Sequence, residues 1–182
     1  MNVRQERGDR SDLSSMKYTA MLASLKTLIS NIVSETKDSD RREAERCRVA
    51  IAALLIRVVS IDTDMSAARR AKLHSVLTSY FGYDDVVTTE LIAQAAMAAR
   101  DAVDLYHFTR PINLLVDDEG HRHIIRMMWE VIYADGGASP LENNLVWRIA
   151  DLLGVPTRQR IELRRCIAIE RGVSACSALS GP

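Results

Sequence analysis

Apolar side chains recur at three- and four-residue intervals through most of this chain. From Met16 to Val33 they fall at Met21, Leu22, Leu25, Leu28, Ile29 and Ile32, the stripe of an amphipathic helix. Asp40 opens a second helix, which runs through RREAERCR into VAIAALLIRVV and is apolar nearly all round from Val49 to Val59. A helix of that kind belongs in a core. Ser66 caps a third, which stops near Phe81 and Gly82. Asp84 or Thr88 opens a fourth that continues to about Tyr106, and a short helical piece follows Pro111. A second core helix spans about Glu119 to Tyr133, and Ser139 and Thr157 start the last two. No stretch alternates with the period of two that a strand needs. The pattern therefore predicts an all-α fold, with Leu54, Leu55, Val58, Met128, Trp129 and Ile132 buried.

The chain also matches itself. VVSIDTDMSAARRAKLHSVLTSYFGY and VIYADGGASPLENNLVWRIADLLGVP align with Asp62 on Asp135 and Ser66 on Ser139, an offset of 73. After one gap, Phe81-Gly82-Tyr83 falls on Leu153-Gly154-Val155. Each copy reads as a buried helix, an acidic loop, a serine cap, an amphipathic helix and a glycine stop. Repeats of this kind, here about 49–83 and 122–155, report architecture before function. They point to a single domain over residues 16–171 made of two related helical halves. Residues 1–15 read as a disordered N-terminus and 172–182 as a flexible tail.

Composition narrows the function. With 182 residues, 47% of them hydrophobic and 26% charged, the chain has the make-up of a soluble globule. Its 24 basic and 24 acidic residues cancel, which argues against a nucleic-acid partner. The longest apolar runs, Val49 to Ile61 and Ile124 to Ala134, fall short of the roughly 20 residues of a membrane span. Cys47, Cys166 and Cys176 show no zinc-like spacing and suit a reducing, cytoplasmic setting.

YADGGASPLENN, Tyr133 to Asn144, holds the main candidate chemistry, and it reads in two ways. As structure, Ser139 is an N-cap, Pro140 takes the first helical position, and Glu142 reaches back to complete a capping box. Gly136 and Gly137 then supply positive φ angles. As a site, Asp135 and Glu142 offer hard oxygens to a divalent cation, calcium or magnesium. The spacing is not that of an EF-hand, because the glutamate arrives too early. Two carboxylates alone are few, so the first loop, with Asp62 and Asp64, would have to contribute.

Other residues carry less. His121 and His123 point to different helix faces, and His74 and His107 stand alone. Arg158, Arg160, Arg164 and Arg165 read as a solvated helix face, while Trp129 and Trp147 sit on apolar stripes. In DLYHFTRPIN, Asp104 and Arg110 stabilise a helix junction, Leu105, Tyr106 and Phe108 pack inside, and Pro111 breaks the chain. A hydrolase lacks a recognisable nucleophile and base.

The ADG of Ala134 to Gly136 with Glu142, the DLYHFTR of Asp104 to Arg110 and the DLLGVP of Asp151 to Pro156 resemble the tellurite-resistance TerB-like family. The resemblance covers roughly residues 20 to 170. It implies a bundle of about seven helices in two related halves. It also implies acidic loops that chelate a metal, here Asp135 and Glu142 with Asp62 and Asp64, and zinc joins calcium and magnesium as the ion. The role implied is cytoplasmic and non-enzymatic, a stress-response or regulatory module that meets a protein partner, self-associates or joins a membrane-associated complex. The first loop departs from the family pattern: Thr63 stands where it has glycine, and Arg69 where it has glutamate. An arginine there pairs with a carboxylate more readily than it tolerates a cation. The alternative reading is a metal-free helical interaction module in which the same loops only cap helices.

Overall fold

The apolar run from Ala50 to Val59 ends up where its composition sends it. Leu54, Leu55 and Val58 have no solvent exposure in the computed structural model, and neither do Met128 and Ile132, while Trp129 keeps 1%. The structure describes residues 38–61, 65–101 and 104–172. The stripe at Met16 to Val33, the loop residues Asp62, Thr63 and Asp64, the first 15 residues and nearly all of the tail lie outside them. The chain divides into two units, Met1–Glu43 and Ala44–Pro182. Residues 38–43 of the first are helical, so Asp40 lies within a helix and does not open one. Its neighbours Arg41, Arg42 and Glu43 are good helix formers and extend the helix through it.

The second unit is all helix. Its elements are α1 (residues 44–59), α2 (Ala67–Phe81), α3 (Asp85–Asp101), α4 (Tyr106–Leu115), α5 (Asp118–Ile132), α6 (Pro140–Leu152) and α7 (Thr157–Glu170). No strand occurs among the described residues. α5 packs against α2, α6 and α7, α2 also packs on α3, and α4 on α6. α5 can take three neighbours because eight of its 15 residues are buried. α1 is tied to α3 by Arg57, whose Nη1 donates to the Ala99 carbonyl at 3.1 Å. No helix of the described residues is long and apolar enough to cross a membrane.

Helix ends follow their local chemistry. Ser66 and Ser139 both sit in extended backbone, and each hydroxyl accepts the backbone N–H three residues on. Gly82 at φ 66° and Gly154 at φ 68° stop α2 and α6 in left-handed turns that a side chain would strain. At α3, Asp84 is the one that caps, its carboxylate accepting Val87 N–H at 2.8 Å. Thr88 is instead buried against the Thr78 hydroxyl at 3.1 Å.

The segment around DLYHFTRPIN differs from expectation. α3 stops at Asp101, and α4 starts at Tyr106 and runs through Pro111. The Asp104 carboxylate accepts the His107 N–H at 3.0 Å and so opens the new helix. Proline removes one helical hydrogen bond, but Phe108 and Thr109 before it and Ile112 after it are all buried. Their packing holds the helix across the defect. Leu105 and Phe108 point inward as expected, whereas Tyr106 is 62% exposed.

α7 is also less solvated than its arginines suggest. Arg164 is buried, its guanidinium 5.4 Å from the Trp129 ring centre and its Nε donating to the Tyr133 hydroxyl at 3.2 Å. Arg160 lies on Trp147 and donates to the Val155 carbonyl, while Arg158 and Arg165 are exposed.

Truncating Leu55 or Ile132 to alanine should cost about 2 to 5 kcal/mol in urea unfolding, since both side chains are fully enclosed. A loss below about 0.5 kcal/mol at either would show that the core had been misassigned.

A second expectation concerns acid. Burial pushes Glu130 up, but Lys72 at 2.7 Å and Arg126 at 3.1 Å outweigh it and lower its pKa. A carboxylate depressed in the folded state stabilises above its unfolded pKa, and that contribution is lost as pH falls through the folded value. Glu130→Gln should therefore flatten the fall in melting temperature below about pH 4.5. A wild-type acid slope that persists unchanged in the variant contradicts it.

Candidate functional site

α2 shows its core face through Arg69, Leu73, Val76 and Leu77, the four buried residues of that helix. A charged side chain on an apolar stripe must find a partner of opposite charge. Arg69 finds two. Its Nε donates to Asp135 Oδ1 at 2.8 Å, and its Nη1 pairs with Glu142 Oε1. Nη2 reaches the other Glu142 oxygen at 3.5 Å and the Gly137 carbonyl at 3.2 Å. Burial works against the guanidinium charge, but its hydrogen bonds to Asp135 and Glu142 and their fields push the Arg69 pKa above its ordinary value. The group is a permanent cation.

The carboxylates are held from the other side by helix caps. Glu142 is 1% exposed, and its Oε2 accepts the Ser139 N–H at 2.9 Å while the Ser139 hydroxyl accepts the Glu142 N–H at 3.1 Å. This is the complete capping box that SPLE predicts, with Pro140 opening the helix. Asp135 Oδ2 accepts the Ser66 hydroxyl at 2.7 Å, and the same Ser66 oxygen accepts the Arg69 N–H at 3.2 Å. Of the two loop glycines, Gly136 takes a positive φ of 131°; Gly137 does not, and serves through its carbonyl.

The sequence-derived pair Asp135 and Glu142 is thus brought together, and Arg69 stands between them. The two carboxylates converge on a guanidinium, not on open space. Asp62 and Asp64 lie outside the described residues. Among the described residues no three His, Cys, Asp or Glu side chains gather as a group that could hold a metal. His121 is buried on α5 with its Nε2 unpaired, and His123 is exposed beside Tyr80, 5.1 Å between ring centres.

A family model described as Tellurite resistance protein TerB matches residues 48–165. The chain belongs to the TerB family. The match runs from within α1 to within α7 and takes in every residue of the Arg69 cluster. Comparison with curated proteins and with solved structures gave no match. Arg69, a departure from the family pattern in the sequence of this TerB-family chain, sends its side chain to Asp135 and Glu142. The signal was present: Arg69 falls four residues before Leu73 and seven before Val76, on the buried stripe of α2.

Removing Arg69 as Met should lose about 3 to 5 kcal/mol by chemical denaturation, because Glu142 is left as a buried, uncompensated charge. Asp135→Asn should lose less, since the Asp135 side chain is 29% exposed and the amide still accepts from Ser66. If Arg69→Met costs under about 1 kcal/mol, the cluster contributes no more than a surface ion pair.

Proposed function

We propose that this TerB-family protein is a non-enzymatic helical module that works by binding other proteins, and that its acidic loop is closed by Arg69 without a divalent ion. The observation that carries the reading is the fork of Arg69 between Asp135 and Glu142. An ion approaching those carboxylates meets a like charge already seated between them. The hydroxyls that chemistry at this loop would need are committed as well. Ser139 caps α6, and Ser66 both caps α2 and donates to Asp135.

The outer surface supports partner binding. Val86 and Met97 of α3 are each 68% exposed, and Tyr106 and Leu114 of α4 are 62% and 70% exposed. Apolar side chains of this size on helices are area that a partner could cover. A stress-response or regulatory role in the cytoplasm belongs to the same reading, and the free thiols of Cys47 and Cys166 suit a reducing compartment.

Melting curves in EDTA and in millimolar calcium, magnesium, manganese or zinc test the metal-free part. An ion held at 100 times its Kd would add about 2.7 kcal/mol, or several degrees in a domain of this size. The wild-type protein should show no such shift. A saturable rise with any of these ions, lost in Asp135→Asn, would return the loop to the metal-binding reading.

A further inference from the structure

The first turns of α5 and the turn from α6 into α7 line a cavity of about 90 Å³. His121 lines it, only 8% exposed, and its Nε2 has no hydrogen-bond partner in the protein. A buried polar atom left in that state carries a free-energy cost until something meets it. Arg122 and Gln159 line the same cavity and add a guanidinium and an amide. The Arg122 guanidinium is paired with Glu119, but Glu119 is 76% exposed, so solvent screens that pair. α7 also begins here. Its N-cap is Pro156, another lining residue, and no side chain caps the helix. The starts of α2, α5 and α6 each have a serine or aspartate acceptor instead. The first N–H groups of α7, at the positive end of its dipole, are left for solvent or for a bound acceptor.

We infer that this cavity binds a carboxylate, held by the His121 imidazole, the Arg122 guanidinium and the backbone N–H groups that begin α7. The donors set the sign of the ligand, since an imidazole N–H, a guanidinium and the amides of a helix start all favour an anion. Asp118 sets the size of its charge. That side chain lines the cavity too, and it repels a dianion such as phosphate twice as strongly as a monoanion. Leu153, Val155 and Pro156 supply an apolar side that suits a short carbon stem. The volume leaves room for a few heavy atoms, the size of acetate or propionate or of the last carboxylate of a polypeptide. The site shares no residue with the Arg69 cluster, so it stands or falls apart from the metal-free reading of that loop.

Amide and imidazole nuclear magnetic resonance spectra of the ¹⁵N-labelled full chain report binding directly. Wild type is titrated at constant pH and ionic strength with acetate, propionate, phosphate, and an acetylated alanine tripeptide in its free-acid and amide forms. Acetate and propionate should give saturable shifts centred on His121, Arg122, Arg158 and Gln159. His121→Phe fills the space of the ring without its nitrogens and should weaken binding at least about tenfold, as should Arg122→Gln. Asp118→Asn should strengthen phosphate binding more than acetate binding. Both sources of a carboxylate support the site: a free-acid peptide that outcompetes propionate identifies a chain end, and the reverse order identifies a free short-chain acid. A peptide amide that binds as well as the acid overturns the carboxylate assignment. Shifts that never saturate overturn the site itself. So does an affinity unchanged in Arg122→Gln, which alters a side chain 33% exposed and decides the matter where His121→Phe fails to fold.

Discussion

A guanidinium held between two carboxylates, one of them almost wholly enclosed, is the constraint that organises this end of the molecule. Buried charges are tolerated only with good geometry and with their remaining hydrogen bonds satisfied. Here the satisfaction is shared. Glu142 meets Arg69 with both oxygens, and its Oε2 also accepts from the N-cap backbone of α6. Asp135 serves Arg69 with one oxygen and the N-cap hydroxyl of α2 with the other. The starts of α2 and α6 are therefore capped by residues of one connected network, and neither cap is independent of the ion pair.

The same helix makes a second connection. Lys72 follows Arg69 by three residues, a spacing that makes them neighbours on the helix surface. Lys72 pairs with Glu130 of α5, which also takes Arg126, and Arg126 reaches Glu170 of α7. α2 thus presents two cations to two sets of acids, one at the loop leading to α6 and one on α5. Between them Leu73, Val76 and Leu77 supply the apolar contact. The apolar residues drive association without direction, and the Lys72–Glu130 pair joins α2 to α5 at a defined point.

Helix order was legible because it rests on local chemistry. Ser66, Gly82, Ser139 and Gly154 each act on bonds within a few residues, and the sequence shows all the parts. The failures came where distant packing overrode a local rule. Pro111 remains inside α4 because Phe108, Thr109 and Ile112 are buried against other helices, and Arg164 leaves solvent because Trp129 and Tyr133 lie where it can cover them. The site divided along the same line. The capping box of Ser139 and Glu142 could be read directly, since its atoms are three residues apart. The bond from Arg69 to Glu142 spans 73 residues, and periodicity carries no information about which acid a buried arginine will meet.

The energetics of such a triad separate two quantities that are easily confused. The net stability it confers is small, because desolvating three charges offsets much of their attraction. The cost of removing Arg69 is large, because Glu142 then remains buried without balance. A loop built this way resists change at position 69 even where its summed contribution to folding is slight. An arginine at position 69 brings its own positive charge to the loop. That charge comes from one side chain on α2, while the oxygens that receive it stay where the helix caps of α2 and α6 hold them.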